Sequence, residues 1–180
     1  MIRPEFRKIL LDQRGAAVIL WSFFFISVPI YLVIARHLLG NPNLGTNPSI
    51  AEPARIVFWA LTLVDIGYYF YWRDRHLSAA AIKREARKTK LFRALEGFQG
   101  AVEENAAYLV STLVTRKVVI FAIIEAVAVY GFVLVFLGRF AADQIALSLL
   151  SVILLIIEFP SAKSLESLIQ EVEHPAARLR

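Results

Sequence analysis

The stretch that decides the fold is residues 118–138, VVIFAIIEAVAVYGFVLVFLG, in which a single acidic side chain interrupts an apolar run. A bilayer core about 30 Å thick is crossed by roughly 20 helical residues, because an α-helix rises about 1.5 Å per residue. Residues 118–138 have that length and predict a transmembrane helix. Glu125 lies about 4–5 Å from its centre, toward residue 118, at about 1.5 Å per residue. The role of this carboxyl is therefore the main question about the chain.

Three further segments have a similar composition. They are residues 16–39, 56–72 and 145–159, the last two being short for a span. The whole chain is 58% apolar with a mean hydropathy of +0.59, whereas soluble domains are roughly 45–50% apolar. The sequence therefore predicts an all-α polytopic membrane protein with four transmembrane helices packed as a bundle.

The Lys and Arg residues are divided unequally between the two ends of these segments. Seventeen of the 20 fall in residues 1–15, 73–117 and 160–180. The opposite side, which includes the turn at residues 139–144, has only Arg36, Arg55 and Arg139. Cytoplasmic loops of membrane proteins are enriched in Lys and Arg. This bias predicts a bacterial cytoplasmic (inner) membrane protein with both termini in the cytoplasm, and the net charge of +5 records orientation rather than nucleic-acid binding.

The segments outside the four spans differ in character. Residues 40–55 begin GNPNLGTNPSIAEP, which predicts irregular turn structure on the outer side. Residues 73–117 are too long for an unstructured loop and predict a cytoplasmic helical hairpin. Residues 160–180 predict an amphipathic tail helix, whose apolar face is formed by Leu165, Leu168, Ile169 and Val172.

Two sets of apolar or small residues are candidates for helix packing. On the return arm of the hairpin, apolar side chains recur at helical spacing, at Leu91, Leu95, Phe98, Val102 and Leu109. This spacing is typical of packing on another helix, within the chain or in a second copy. In the third span, Ala126, Ala128 and Gly131 permit the close approach of a neighbouring helix.

Asp65 and Glu125 are the acidic residues closest to the middle of the predicted spans. An isolated carboxylate in hydrocarbon is so costly that it is protonated, hydrogen-bonded or bound to a cation. Ser27 and Ser151 lie at comparable depth and Tyr68 is nearby, so these five residues predict a polar or ion-binding network. Three interpretations stay open, namely hydrogen bonds that join helices, a site for protons or ions, and an acid that only lines a cavity for lipid or a ligand.

The sequence Glu125-Ala-Val-Ala-Val-Tyr-Gly resembles the carboxylate-bearing helix of rotary ATPase proteolipid (c-type) subunits. More broadly, residues 115–138 resemble the third helix of uncharacterised bacterial four-helix membrane proteins with an E-x-x-A-x-x-G pattern. The resemblance implies a carboxyl at Glu125 that takes up H⁺ or Na⁺. In the rotor subunits, however, the acid follows a glycine-rich helix, and here the first two spans have no closely spaced glycines.

The sequence predicts no catalytic activity, metal or cofactor. It has no cysteine, P-loop, HExxH motif or nucleophile elbow. We therefore expect an accessory, scaffolding or self-associating subunit of a membrane complex. Its expected partners are lipid and other membrane proteins, including further copies of itself, and not nucleic acid. The alternative is translocation of protons, Na⁺ or a small solute by Glu125 and Asp65.

A lipid-binding role is a further possibility for the hairpin. Its basic residues Lys83, Arg84, Arg87 and Lys88 are candidates for contact with anionic lipid. Polybasic segments beside a membrane gain on the order of 1 kcal/mol per Lys or Arg from anionic headgroups.

Overall fold

The computed structural model describes residues 4–41, 45, 47–77 and 101–173, which form helices joined by short turns. The helices are α1 (Pro4–Leu39), α2 (Pro48–His76), α3 (Ala101–Gly138), α4 (Ala141–Ile157) and α5 (Ala162–Glu173). None of the described residues belongs to a strand. The predicted all-α class is confirmed for them.

Two helical stretches in the described residues are long and apolar enough to cross a membrane. They are Leu10–Leu39 of α1 and Ala106–Gly138 of α3. Ala141–Ile157 in α4 is apolar but shorter. The apolar part of α2 contains Asp65 and several tyrosines, which lower its hydropathy, and it lies between Arg55 and Arg73.

The expectation of irregular structure throughout residues 40–53 is wrong, because α2 already begins at Pro48. The Asn47 side-chain oxygen accepts hydrogen bonds from the Ser49 backbone N–H at 3.2 Å and from the Ser49 hydroxyl at 2.6 Å. Asn is a favoured N-cap residue, and Pro fits the first helical position, where no N–H is needed. The Asn-Pro dipeptide therefore starts a helix here. The predicted N-terminal segment is also helical, since α1 begins at Pro4.

The turn between α3 and α4 contains one residue with unusual backbone geometry. Arg139 has a φ of 59°, in the left-handed region that residues other than glycine rarely adopt. Its guanidinium donates to the carbonyl of Leu39, the last residue of α1, and to that of Asn41 at 3.3 Å. These bonds occupy carbonyls that have no partner within α1 and connect the turn to the end of that helix.

The chain divides into two compact units. Unit 1 consists of Met1–Leu20, Arg73–Val118 and Pro160–Arg180, and unit 2 consists of Trp21–Trp72 and Val119–Phe159. Consequently α1, α2 and α3 each contribute residues to both units.

Unit 1 has an apolar core built from three helices. Its buried members are Leu10, Ala106, Ala107, Leu109, Val110, Leu113, Leu165 and Ile169. Because Leu165 and Ile169 belong to α5, the tail helix buries part of its apolar face against α1 and α3. Charged residues such as Lys8, Asp12 and Lys163 are exposed. Unit 1 thus combines an apolar core with exposed charged residues, and Ser111 and Lys117 are also buried.

Unit 2 also has a buried apolar core, which includes Val127, Leu134 and Leu147, but it differs in its surface and in its buried polar groups. Its interior includes polar or charged side chains, at Thr62, Asp143, Gln144, Ser148, Ser151 and Glu158. Of the large apolar side chains that are exposed among the described residues, all except Ile19 belong to unit 2. They include Phe23 and Val33 on α1, Leu63 on α2 and Leu149 on α4. The candidate site lies among the polar groups inside this apolar exterior.

Candidate functional site

Three hydrogen bonds of one kind join the helices of unit 2. In each, a tyrosine hydroxyl on one helix donates to a carboxyl on another part of the chain, and we call these the tyrosine–carboxyl pairs. The pair between α1 and α3 is formed by Tyr31 and Glu125, with the hydroxyl 2.9 Å from Glu125 Oε1. The Tyr31 ring is stacked on Phe132, with centroids 5.5 Å apart. Both partners are half-buried, so the pair is within reach of the bundle surface.

The second pair joins α3 to α2. The Tyr130 hydroxyl lies 2.8 Å from Asp65 Oδ2. The Tyr130 ring also contacts Phe58, with centroids 5.4 Å apart, so ring packing on α2 holds the hydroxyl opposite the carboxyl.

The third pair joins α2 to the end of α4 and is the most buried. The Tyr69 hydroxyl lies 2.9 Å from Glu158 Oε1, and the two residues are only 1% and 4% exposed. Glu158 is the C-cap of α4, directly after its last turn. A hydrogen bond to a buried carboxyl offsets the loss of its contact with water.

The tyrosine–carboxyl pairs explain how acidic residues are accommodated in an apolar part of the chain. A phenol is a neutral donor on an apolar ring, so it supplies a hydrogen bond without adding a second charge to the interior. In membrane proteins such interhelical hydrogen bonds each contribute around 0.6–2 kcal/mol. Together the three pairs connect α1 to α3, α3 to α2, and α2 to the end of α4.

An ion pair lies at the end of unit 2 where α4 begins. Arg55 Nε of α2 lies 2.6 Å from Asp143 Oδ2, and Arg55 Nη2 lies 3.2 Å from Asp143 Oδ1. Trp59 Nε1 donates to the same Oδ1 at 3.3 Å, and the guanidinium lies 4.9 Å from the centre of the Phe140 ring. The hydrogen bond with Asp143, followed by the charge of Asp143, raises the pKa of Arg55. Arg55 is therefore charged at any physiological pH.

Helices α3 and α4 approach closely at Gly131. A Cβ added to Gly131 would lie 3.1 Å from Gln144 Cα and 3.2 Å from Leu147 Cβ, closer than ordinary contact. Farther along, the Ser151 hydroxyl donates to the Ile124 carbonyl of α3 at 3.0 Å. Ala128 is buried and Ala126 is half-buried. A small residue at position 131 thus leaves room for the backbone of α4.

The five residues of the expected network have different surroundings. Glu125 and Asp65 belong to separate tyrosine–carboxyl pairs, and Ser151 bonds to the α3 backbone. The Ser27 hydroxyl donates to the Phe24 carbonyl of its own helix at 2.8 Å. Tyr68 is exposed and stacks on Tyr71, with centroids 6.3 Å apart.

The other candidate residues fall mostly in or near unit 1. Leu109 is part of the unit 1 core, and Val102 lies near the start of α3. The remaining candidates are outside the described residues, namely Leu91, Leu95, Phe98, Lys83, Arg84, Arg87 and Lys88.

Sequence reasoning named Tyr69 as a polar group near the carboxyls, but it did not assign the contacts of several other residues: Tyr31, Tyr130, Glu158, Asp143, Arg55 and Trp59. The available signal was a tyrosine inside an apolar segment, since a buried phenol needs a hydrogen-bond partner. A second signal was Asp143 in the first turn of α4, where the helix dipole favours an acid. Within the described residues, no group of three or more His, Asp or Glu side chains is arranged to bind a metal ion.

Comparison of the chain with models of protein families, with curated proteins and with solved structures finds no match in any of the three.

Proposed function

We propose that the protein is a four-span integral membrane protein of the bacterial cytoplasmic membrane, in which unit 2 is the part embedded in lipid. The exposed apolar side chains of unit 2 support this proposal, because a surface of this composition is stable in hydrocarbon and unfavourable in water. They occur on all four of its helices, including the two shorter candidates. Leu63 on α2 and Leu149 on α4 are 68% and 58% exposed.

The positions of charged residues are consistent with membrane spans in α2 and α4, the two shorter candidates. Arg55 and Arg73 flank the apolar part of α2, about 27 Å apart along a helix that rises about 1.5 Å per residue. In α4 the 17 helical residues extend over about 25 Å, with Asp143 at one end and Glu158 at the other. Both lengths are close to the roughly 30 Å of a hydrocarbon core.

Within that membrane location, we propose a non-catalytic role as an accessory or scaffolding subunit that associates with itself or with a larger membrane complex. The observation that carries this proposal is the set of three tyrosine–carboxyl pairs. Each of the carboxyls Glu125, Asp65 and Glu158 accepts a hydrogen bond that joins helices, as expected of a rigid scaffold. The predicted absence of catalytic motifs agrees with this role.

Helix α2 supports the association with a partner. Among its residues only Ala51, Thr62 and Tyr69 are buried, and most of its other apolar side chains are exposed. A transmembrane helix with so much free surface has room for a second helix as well as for lipid. Exposed Ala60 and Gly67 lie on this surface and allow close approach.

Purification of the full chain in a mild detergent tests the proposed role. Light scattering after size exclusion would give the mass of the protein without the detergent, and mass spectrometry would identify any proteins that remain bound. We expect a defined oligomer or a stoichiometric complex. A strictly monomeric chain that retains no other protein would contradict the scaffolding role.

The topology has its own test, because the chain contains no cysteine and single-cysteine variants have no labelling background. The exposed positions Ser49 and Lys163 lie on opposite sides in the proposed topology. In intact cells, a membrane-impermeant maleimide should label S49C and should label K163C only after the membrane is broken. Equal labelling of both variants in intact cells would exclude this topology.

The second candidate function is the binding and transfer of protons or Na⁺ by Glu125. It is supported by the half-buried Tyr31–Glu125 pair and by the resemblance of this helix to proteolipid subunits. If Glu125 has this function, E125Q abolishes flux into liposomes, and wild-type Glu125 reacts with a carbodiimide in a way that added Na⁺ or high pH suppresses. Absence of both flux and reaction would exclude it and leave the structural role.

A further inference from the structure

The arginines on the proposed outer side differ in their hydrogen-bond and ion-pair partners. Arg55 is paired with Asp143, and Arg139 donates to backbone carbonyls. The exposed guanidinium of Arg36, by contrast, has no hydrogen bond or ion pair to any residue in the described part of the chain. Its charge therefore has no counterpart among the residues that the structure describes.

Arg36 borders a groove at the end of α1. The groove has a volume of about 540 Å³ and is lined by Val33, Arg36, His37, Gly40 and Asn41. The imidazole of His37 is exposed beside Arg36, so two nitrogen-bearing side chains are available to donate hydrogen bonds into the groove. A guanidinium is well suited to bind a phosphate because its N–H groups contact two oxygens at once.

The groove continues into an apolar surface. On the preceding turns of α1, Phe23, Ile26, Ile30 and Val33 are exposed. Residues 16–35 of α1 cover about 30 Å, the thickness of a hydrocarbon core, so the following Arg36 and His37 fall at the level of the lipid headgroups. A cationic groove at headgroup level above an exposed apolar helix face complements an anionic lipid.

We propose that this groove binds the phosphodiester headgroup of an anionic phospholipid in the outer leaflet, with an acyl chain along the exposed face of α1. The inference rests on the proposed insertion of unit 2 in the membrane. Arg36 binds the phosphate oxygens, and His37 supplies a further donor. The site differs from the predicted lipid contact of the hairpin, which involves other residues and the opposite side of the membrane.

Native mass spectrometry of the purified full chain with added phosphatidylglycerol or phosphatidylcholine tests this proposal. An arginine near the membrane surface contributes about 1 kcal/mol to the binding of anionic lipid, equivalent to roughly fivefold in affinity. We therefore expect R36Q to weaken binding of phosphatidylglycerol by roughly fivefold, and to weaken binding of phosphatidylcholine less, because its choline cation already neutralises the phosphate. R36K, which keeps the charge but loses the two-oxygen contact, should be intermediate.

K163Q is the matched control, because it removes one exposed positive charge from unit 1 and should bind phosphatidylglycerol like the wild type. Equal affinity of wild type and R36Q, or equal loss in K163Q, would overturn the proposal. Displacement of the lipid by millimolar inorganic phosphate would also overturn it, because the groove would then select free phosphate. Alkaline carbonate releases peripheral proteins from membranes, whereas integral proteins need detergent. Release of the chain by alkaline carbonate would therefore show that the proposed membrane insertion itself is wrong.

Discussion

Units 1 and 2 are built partly from the same helices, yet they differ in what they expose and in how many polar side chains they bury. In unit 1, leucines and alanines of α1, α3 and α5 form an apolar core, and charged residues such as Lys8 and Lys163 are exposed. In unit 2, large apolar side chains are exposed on all four helices, and the interior combines apolar residues with carboxyls, hydroxyls and an amide. Parts of the same helix can therefore differ in which kinds of side chain they bury and expose. This difference is the one expected if, as proposed, unit 2 is surrounded by lipid and unit 1 by water.

The largest effect should come from placing the same charge on the two exteriors. L63R puts a guanidinium on the exposed apolar face of α2, where a charge near the centre of a membrane helix costs roughly 3 kcal/mol or more. We expect most of this variant to be lost from the membrane fraction. Q170R, at an exposed position of α5 in unit 1, should be recovered like the wild type. Equal recovery of the two variants would mean that unit 2 does not face lipid.

A matched pair of leucine truncations compares the two kinds of packing. Leu109 is buried in the unit 1 core, whereas Leu149 is exposed on α4. We expect L109A to lower the free energy of unfolding by about 2–3 kcal/mol, because it leaves a cavity. L149A should change the free energy by no more than about 0.5 kcal/mol, since lipid fills the space. Titration of the protein in mixed micelles with dodecyl sulfate measures both values, and a larger loss for L149A would reverse the proposed assignment of solvents.

Removal of single hydroxyls examines the tyrosine–carboxyl pairs. Y69F, Y130F and Y31F should each lower the free energy of unfolding by around 0.6–2 kcal/mol, with Y69F at the upper end because its pair is the most buried. Y68F removes an exposed hydroxyl from the same helix as Tyr69 and should have no measurable effect. A double-mutant cycle of Y130F with D65N isolates the interaction of one pair. A coupling free energy of zero would show that this pair does not join the helices.

Two glycine substitutions give the smallest expected effects, and they differ in what the added methyl group contacts. Gly67 has no atom within 4 Å of an added Cβ, so G67A should stabilise α2 by roughly 0.5–1 kcal/mol through helix propensity. G131A gains the same propensity but forces α3 and α4 apart by a few tenths of an ångström. We expect G131A to be less stable than G67A in thermal unfolding in detergent. The opposite order would mean that α3 and α4 do not approach closely at position 131.

The sequence was sufficient to predict the all-α class of the described residues, because apolar length and charge placement are local signals. It was also sufficient to place the tail helix, whose Leu165 and Ile169 enter the unit 1 core as their spacing suggested. The start of α2 was missed because proline and asparagine were interpreted as breakers of structure. In Asn47-Pro48 the same two residues cap and begin a helix.

The partners of the carboxyls could not be predicted, because they depend on the rotation and depth of helices distant in the sequence. Tyr31 and Glu125 are 94 residues apart, and Tyr69 and Glu158 are 89 residues apart. Glu125 and Asp65 could be recognised from the cost of a carboxyl in an apolar segment. Nothing local to either residue indicates that its partner is a tyrosine, and a serine or threonine would have satisfied the same requirement.

The central claim is that unit 2 contacts lipid and unit 1 contacts water. Spin labels on single cysteines at positions 63, 149 and 170 in lipid nanodiscs test it most directly, because the chain has no other cysteine. Oxygen dissolves in hydrocarbon, whereas a charged or hydrophilic nickel complex stays in water, so the collision rates of each label with these two agents report its solvent. The account predicts that the labels at positions 63 and 149 collide with oxygen and the label at position 170 collides with the nickel complex. Collision of all three labels with the nickel complex would contradict it.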